Sequence, residues 1–274
     1  MRKIILLILF SFLSMALFYP PSTITMKGSD TMVILAQRWA EKYMGSNPGI
    51  IIQVNGGGTG TGIAALINGT TDICNSSRPM KPSEREKLKQ RYNSVGVEIR
   101  VARDGLSLYV NNDNPVKELT KEQIKNIFLG RTKNWKEVGG NNSAIIIYGR
   151  ENSSGTYVHF KEEVLNGEDY TSSMQSLPGT AAVVNAVSKD KNAIGFGGAA
   201  YAVGVRDIAV KANPRAKAYI PTDENIKKGL YPISRLLYLY VRNKPTGELK
   251  KFIDWMLSNE GQGVVSEVGY FPIR

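Results

Sequence analysis

Three short segments hold the residues best suited to chemistry. They are Lys27-Gly28-Ser29-Asp30-Thr31, the glycine run from Asn55 to Gly62, and Arg150-Glu151-Asn152-Ser153-Ser154-Gly155-Thr156. Each follows an apolar run that reads as a strand, and each leads into helical periodicity. The first turn of a helix offers unpaired N–H groups at the positive end of its dipole. Glycines let that backbone come close to a ligand, and Ser and Thr add hydroxyl donors. Such a set can hold a small oxyanion without covalent chemistry. Any one of these turns could equally be a plain helix cap; three of them in one chain, one with a fixed arginine, point to an anion site.

Covalent and metal chemistry have little to work with. The chain of 274 residues has one His, His159, and one Cys, Cys74. That rules out an internal disulfide and multi-Cys or multi-His metal sites. No catalytic residue, metal or cofactor is expected. The glycine run lacks the Lys-Ser/Thr ending of a P-loop and the dinucleotide fingerprint. Cys74 reads as a small buried group, His159 as packing, and Trp39 and Trp255 as helix core.

The formal net charge is +11, which suits an anionic partner. The densest basic run, Lys81 to Arg91, is interrupted by Glu84 and Glu86 and reads as a solvated helix face, so nucleic acid is not expected. Arg2 and Lys3 precede an apolar run from Ile4 to Phe18, and residues 1–21 read as a secretion signal or an uncleaved anchor. Either reading places the chain outside the cytoplasm, in the periplasm or on the outer face of the membrane.

From residue 22 onward, short apolar runs alternate with helical periodicity, the pattern of an α/β fold. Strands are expected at Ile24–Met26, Ile50–Val54, Val97–Ala102, Leu106–Val110, Ile145–Tyr148, Ala193–Phe196, Ala216–Ile220 and Leu236–Val241. Helices are expected from Met32 through Tyr43, after the glycine run, at Ser83-x-x-Glu86, at Thr120-x-x-Gln123, over Gly155–Leu165 and Ala181–Val187, and around Phe252–Leu257. Two crossings divide the chain into a discontinuous first lobe, residues 22–111 plus 235–274, and a second lobe, residues 112–234.

Gly28-Ser29-Asp30-Thr31-Met32, Gly57-Gly58-Thr59-Gly60-Thr61-Gly62-Ile63, Asp72-Ile73 through Ser76-Ser77-Arg78, and Arg150 with Ser154-Gly155-Thr156 together resemble the phosphate-binding receptors of bacterial high-affinity phosphate ABC transporters, the PstS family, in its shorter branch. Trp135 and Gly195-Phe196-Gly197 add to the likeness, which spans nearly the whole chain after the leader. The resemblance implies a type II periplasmic-binding-protein fold: two α/β lobes, two crossing segments and a ligand cleft between them. It implies a monomer that binds inorganic phosphate, performs no reaction and passes its cargo to membrane permease subunits. Carried over residue by residue, Arg150 is the charged clamp. Ser154, Gly155 and Thr156 donate from one lobe, and Ser29, Thr31, Thr59, Gly60, Thr61 and Ser77 from the other.

The chain departs from the family at one point. Some members place an Asp where Arg78 stands, and that carboxylate accepts the proton of hydrogen phosphate. Asp30 is then the candidate acceptor, with an N-cap role as its alternative. Arg78 is either a second planar fork for the anion or half of a structural ion pair. Binding of a sulfate-like oxyanion, a sensing role, and a phosphatase-type enzyme are the competing functions. The phosphatase is the one least served by a single His.

Overall fold

A computed structural model describes residues 22–273. Residues 1–21, expected to be a secretion signal or an anchor, lie outside the described residues. Among the described residues, no helix is long and apolar enough to cross a membrane.

The chain opens as β1 (Ser22–Gly28), α1 (Val33–Ser46), β2 (Ile50–Asn55), α2 (Thr59–Asn68), β3 (Ile73–Ser76), α3 (Pro82–Tyr92) and β4 (Val97–Val110). It continues as β5 (Glu118–Thr120), α4 (Lys121–Phe128), β6 (Ile146–Arg150), α5 (Gly155–Glu163), β7 (Gln175–Leu177), α6 (Gly179–Lys189), β8 (Ala193–Gly198), β9 (Arg206–Asp207), β10 (Ala209–Lys211), β11 (Ala218–Tyr219) and α7 (Asp223–Lys227). It closes with β12 (Ser234–Val241), α8 (Gly247–Met256) and α9 (Asn259–Glu267).

The main sheet runs β2-β1-β3-β12-β4-β8-β6-β7, with β9 on β4. β1 pairs parallel with β2 and β3, whereas β12 runs antiparallel to both β3 and β4. Parallel neighbours need a crossover, and the helices between them put their N-termini at the ends where the strands finish. β5, β10 and β11 form a small separate sheet.

β4 is one continuous strand where the apolar pattern predicts two. The polar residues between its halves, Arg103 and Asp104, stay in the ladder opposite Leu236 and Arg235. Its first half pairs with β12, and its second half, from Leu106, pairs with β8. One core cluster takes Met26, Trp39, Val101, Leu239 and Phe252; another takes Leu106, Leu108, Phe128, Phe196 and Ile233. The apolar residues therefore change sides between Ala102 and Leu106 and again between Ile233 and Leu237. Leu106, Leu108 and Val110, expected with the first lobe, pack in the second of these clusters.

Local signals explain most element starts. Thr120 caps α4 through its hydroxyl while Gln123 reaches back to the Thr120 N–H at 2.9 Å. α3 starts two residues earlier than expected, at Pro82; Glu84 rather than Glu86 accepts from the backbone, from Lys81 N–H at 2.7 Å. Pro fits the first helical position because its missing N–H has no partner to lose there.

Candidate functional site

The three turns meet. Ser29 follows β1, the glycine run joins β2 to α2, and Arg150 to Thr156 joins β6 to α5. Ser29 donates to the Ser77 hydroxyl at 2.9 Å, and the Ser77 N–H donates to the Thr59 hydroxyl at 3.1 Å. The Thr31 and Thr156 hydroxyls lie 2.8 Å apart, bridging the two lobes. Ser29, Thr31, Thr59, Ser77, Arg150, Ser154 and Thr156 are all buried. Buried hydroxyls at this density demand partners, since each unpaired one costs about 1–3 kcal/mol.

The turn before α5 is built as its sequence suggests. The Ser154 hydroxyl caps the helix, accepting from Thr156 N–H at 3.1 Å and Tyr157 N–H at 3.3 Å. Gly155 faces the opposite lobe so closely that a Cβ there would stand 2.6 Å from the Ser77 hydroxyl. Only a glycine permits that approach. Gly60 N–H donates to Ser153 C=O at 2.9 Å, a backbone bond across the cleft.

Arg150 is 1% exposed. It donates to Thr180 at 2.9 Å and pairs with Asp30 of the other lobe at 2.5 Å. Burial pushes the guanidinium down from its ordinary value, and Asp30 opposes that. Gly57 N–H binds the second Asp30 oxygen at 2.7 Å, and the Tyr201 hydroxyl donates to the Asp30 C=O at 2.6 Å. Asp30 therefore does not cap a helix. Ser29 occupies that cap position, and both Asp30 carboxylate oxygens are engaged.

Two expected residues stand apart. Arg78 is closed off by Glu84, which accepts from both ends of the guanidinium at 2.7 and 2.8 Å, with Pro79 C=O at 2.9 Å. The ion-pair alternative is the one seen, because Glu84, six residues on, presents its carboxylate from the first turn of α3. The Thr61 hydroxyl donates back to Gly57 and Gly58 C=O at 2.7 and 2.8 Å, serving its own helix start. Gly60 contributes backbone alone.

Arg235 and Asp104 belong to the cluster although no local motif marks them. Arg235 binds Asp104 through Nε and Nη2 at 3.0 and 2.8 Å, and both side chains are almost wholly buried. It also reaches Thr156 at 3.0 Å and Ser77 C=O at 3.2 Å. Burial pushes the Asp104 carboxyl up, and Arg235 pulls it back. The pair exists because Arg235 and Asp104 face each other in the β12–β4 register.

Cys74 and His159 behave as expected of packing residues. Burial raises the Cys74 thiol far above its ordinary value, which keeps it protonated and unreactive. Burial pushes His159 down to about 3. No cluster of three metal-ligating side chains occurs among the described residues.

Residues 20–260 match the family model described as a PBP superfamily domain. The Phosphate-binding protein PstS of Pseudomonas aeruginosa is 35% identical over 263 residues, covering 90% of this chain and 81% of that protein. The Staphylococcus haemolyticus protein of the same name is 33% identical, covering 89% of this chain and 79% of its own length. Among solved structures, a phosphate ABC transporter substrate-binding protein with bound phosphate from Clostridium perfringens superposes with a TM-score of 0.84 at 30% identity, over 92% of this chain and all of that one. An ABC-type phosphate transport receptor from Vibrio cholerae gives 0.72 at 30%, over 90% of this chain and 99% of that one.

Proposed function

The chain belongs to the PstS family of phosphate-binding proteins, within the PBP superfamily, and from that premise we propose that it captures inorganic phosphate between its lobes for an ABC transporter. It has the type II periplasmic-binding-protein fold and is a binding protein rather than an enzyme. The observation that carries the reading is the contact of hydroxyl donors from both lobes, Thr31 against Thr156 at 2.8 Å, beside a buried arginine.

Arg150 supplies the fixed positive charge. Ser29, Thr31, Thr59 and Ser77 offer hydroxyls from the first lobe. Ser154, Gly155 and Thr156 offer the first turn of α5 from the second. Such donors suit a dehydrated tetrahedral anion, because each is already oriented by a neighbour and little reorganisation is needed on binding. Asp30 serves the cross-lobe pair with Arg150 rather than the proton of the anion. Arg78 and Thr61 support the fold of their own turns.

The two lobes divide where the core clusters change sides, around residues 103–105 and 234–236. They open and close about these crossing strands. The protein works as a monomer outside the cytoplasmic membrane and presents the closed form to permease subunits. Isothermal titration with phosphate and with sulfate tests the reading. One saturable phosphate site, weakened by Arg150→Ala, is expected; no heat with either anion overturns it.

A further inference from the structure

The Arg235–Asp104 pair sits on the crossing strands themselves, between the lobes, and touches groups from both. Its Nη2 reaches Thr156 of the second lobe at 3.0 Å and approaches Thr31 of the first at 3.5 Å. Its Nη1 donates to Ser77 C=O at 3.2 Å. Asp104 holds the guanidinium from behind and is fully buried.

A guanidinium can only donate. A hydroxyl that accepts from it must send its own hydrogen elsewhere. Thr31 and Thr156 are also bonded to each other. If Thr31 donates, Thr156 accepts from both Thr31 and Arg235, and the Thr156 hydrogen remains. If Thr156 donates, the Thr31 hydrogen remains. Either way, one O–H hydrogen is left for a ligand, and most of the lone pairs of the two hydroxyls are used.

We propose that Arg235, anchored by Asp104 on the crossing strands, is a positioning residue that fixes the Thr31–Thr156 pair as a hydrogen-bond donor and so makes this corner of the cleft select an ionised phosphate oxygen over a protonated one. The inference rests on the phosphate reading above and adds a basis for discrimination between protonation states. Without Arg235 the hydroxyls are free to turn and accept, and the corner tolerates a P–OH group.

Other groups near this corner are accounted for. His159 lies on α5 one turn beyond Thr156 and is held down to about 3. Tyr109 and Tyr270 are pushed far above their ordinary value by burial, and Tyr201 up to about 12. Asp30 is paired with Arg150. Asp104 is the remaining carboxylate, and one variant below removes it together with Arg235.

The test is phosphate titration at about pH 8 and about pH 6, between which phosphate gains a proton, for the parent, Arg235→Met and Arg235→Lys. The parent is expected to bind more weakly at the lower pH. Arg235→Met should lose about tenfold or more in affinity at the higher pH, about 1.4 kcal/mol, and should show a clearly smaller pH ratio than the parent. Arg235→Lys, which still only donates, should keep the parent's ratio. If Arg235→Met fails to fold because Asp104 is left unpaired, Asp104→Asn/Arg235→Met removes both charges and should show the same smaller ratio. Equal losses at both pH values, or affinity within about twofold of the parent, overturn the inference. A parent that binds no phosphate at either pH overturns the phosphate reading itself, a result distinct from these.

Discussion

Arg150 concentrates the energetics of the cleft at a single side chain. It is buried, bonded to Thr180 in its own lobe and paired with Asp30 in the other. Replacing it by Ala removes a charge-assisted donor from a desolvated site. A loss of about 2–5 kcal/mol in phosphate binding is expected by titration calorimetry. Thr156→Val removes one hydroxyl but keeps the shape, and should cost about 1–3 kcal/mol. Arg78→Ala should leave phosphate affinity near that of the parent while lowering the melting temperature, since its half-buried partner Glu84 then keeps only the Lys81 N–H. At this scale the sequence was legible where the signal was local. Ser154-Gly155-Thr156 announces a capped helix start by type and spacing. Arg78 was ambiguous, because whether a guanidinium faces a ligand or a helix depends on the angle at which α3 leaves β3. Arg235 and Asp104 were silent, because only the antiparallel register of two distant strands brings them together.

At the scale of elements, the cleft is a set of strand ends and helix starts that close on one another. Gly155 is the tightest point. Its backbone follows an ordinary helical start, so alanine is acceptable to α5 itself, yet the added methyl would press on Thr59 and Ser77 of the other lobe. Gly155→Ala is therefore expected to leave the melting temperature without ligand within about 0.5 kcal/mol of the parent in stability terms. Phosphate affinity should fall by at least about tenfold. Circular dichroism melts and titration separate the two effects. An Ala variant that binds like the parent shows that the lobes do not meet at this point when loaded. Strand and helix existence was largely readable from apolar periodicity. The short strands β5, β7, β9 and β10 were not, since two or three residues carry no period. β4 read as two strands because Arg103-Asp104-Gly105 looks like a break, whereas Asp104 stays in the ladder, paired through one carboxylate oxygen with Arg235 opposite it.

At the scale of the whole molecule, binding, closure and stability are linked. Phosphate binds only the folded protein, so a concentration about 100 times the dissociation constant should add about 2.7 kcal/mol, read as a higher melting temperature. Acid acts in the opposite sense through His159. Its folded pKa of about 3 lies below the ordinary 6.5, for reasons of burial and the nearby cations Arg235 and Lys121. The unfolded chain takes up a proton that the folded one refuses. The contribution is complete above about pH 6.5 and is lost as pH falls toward 3. His159→Gln should flatten the fall in melting temperature over that window.

The crystal structure of the protein grown with phosphate tests the central claim most directly. Tetrahedral density within hydrogen-bonding distance of Ser29, Arg150 and Thr156 at once is the expected result. Phosphate held elsewhere, or held by one lobe alone with Arg150 turned away, contradicts the account.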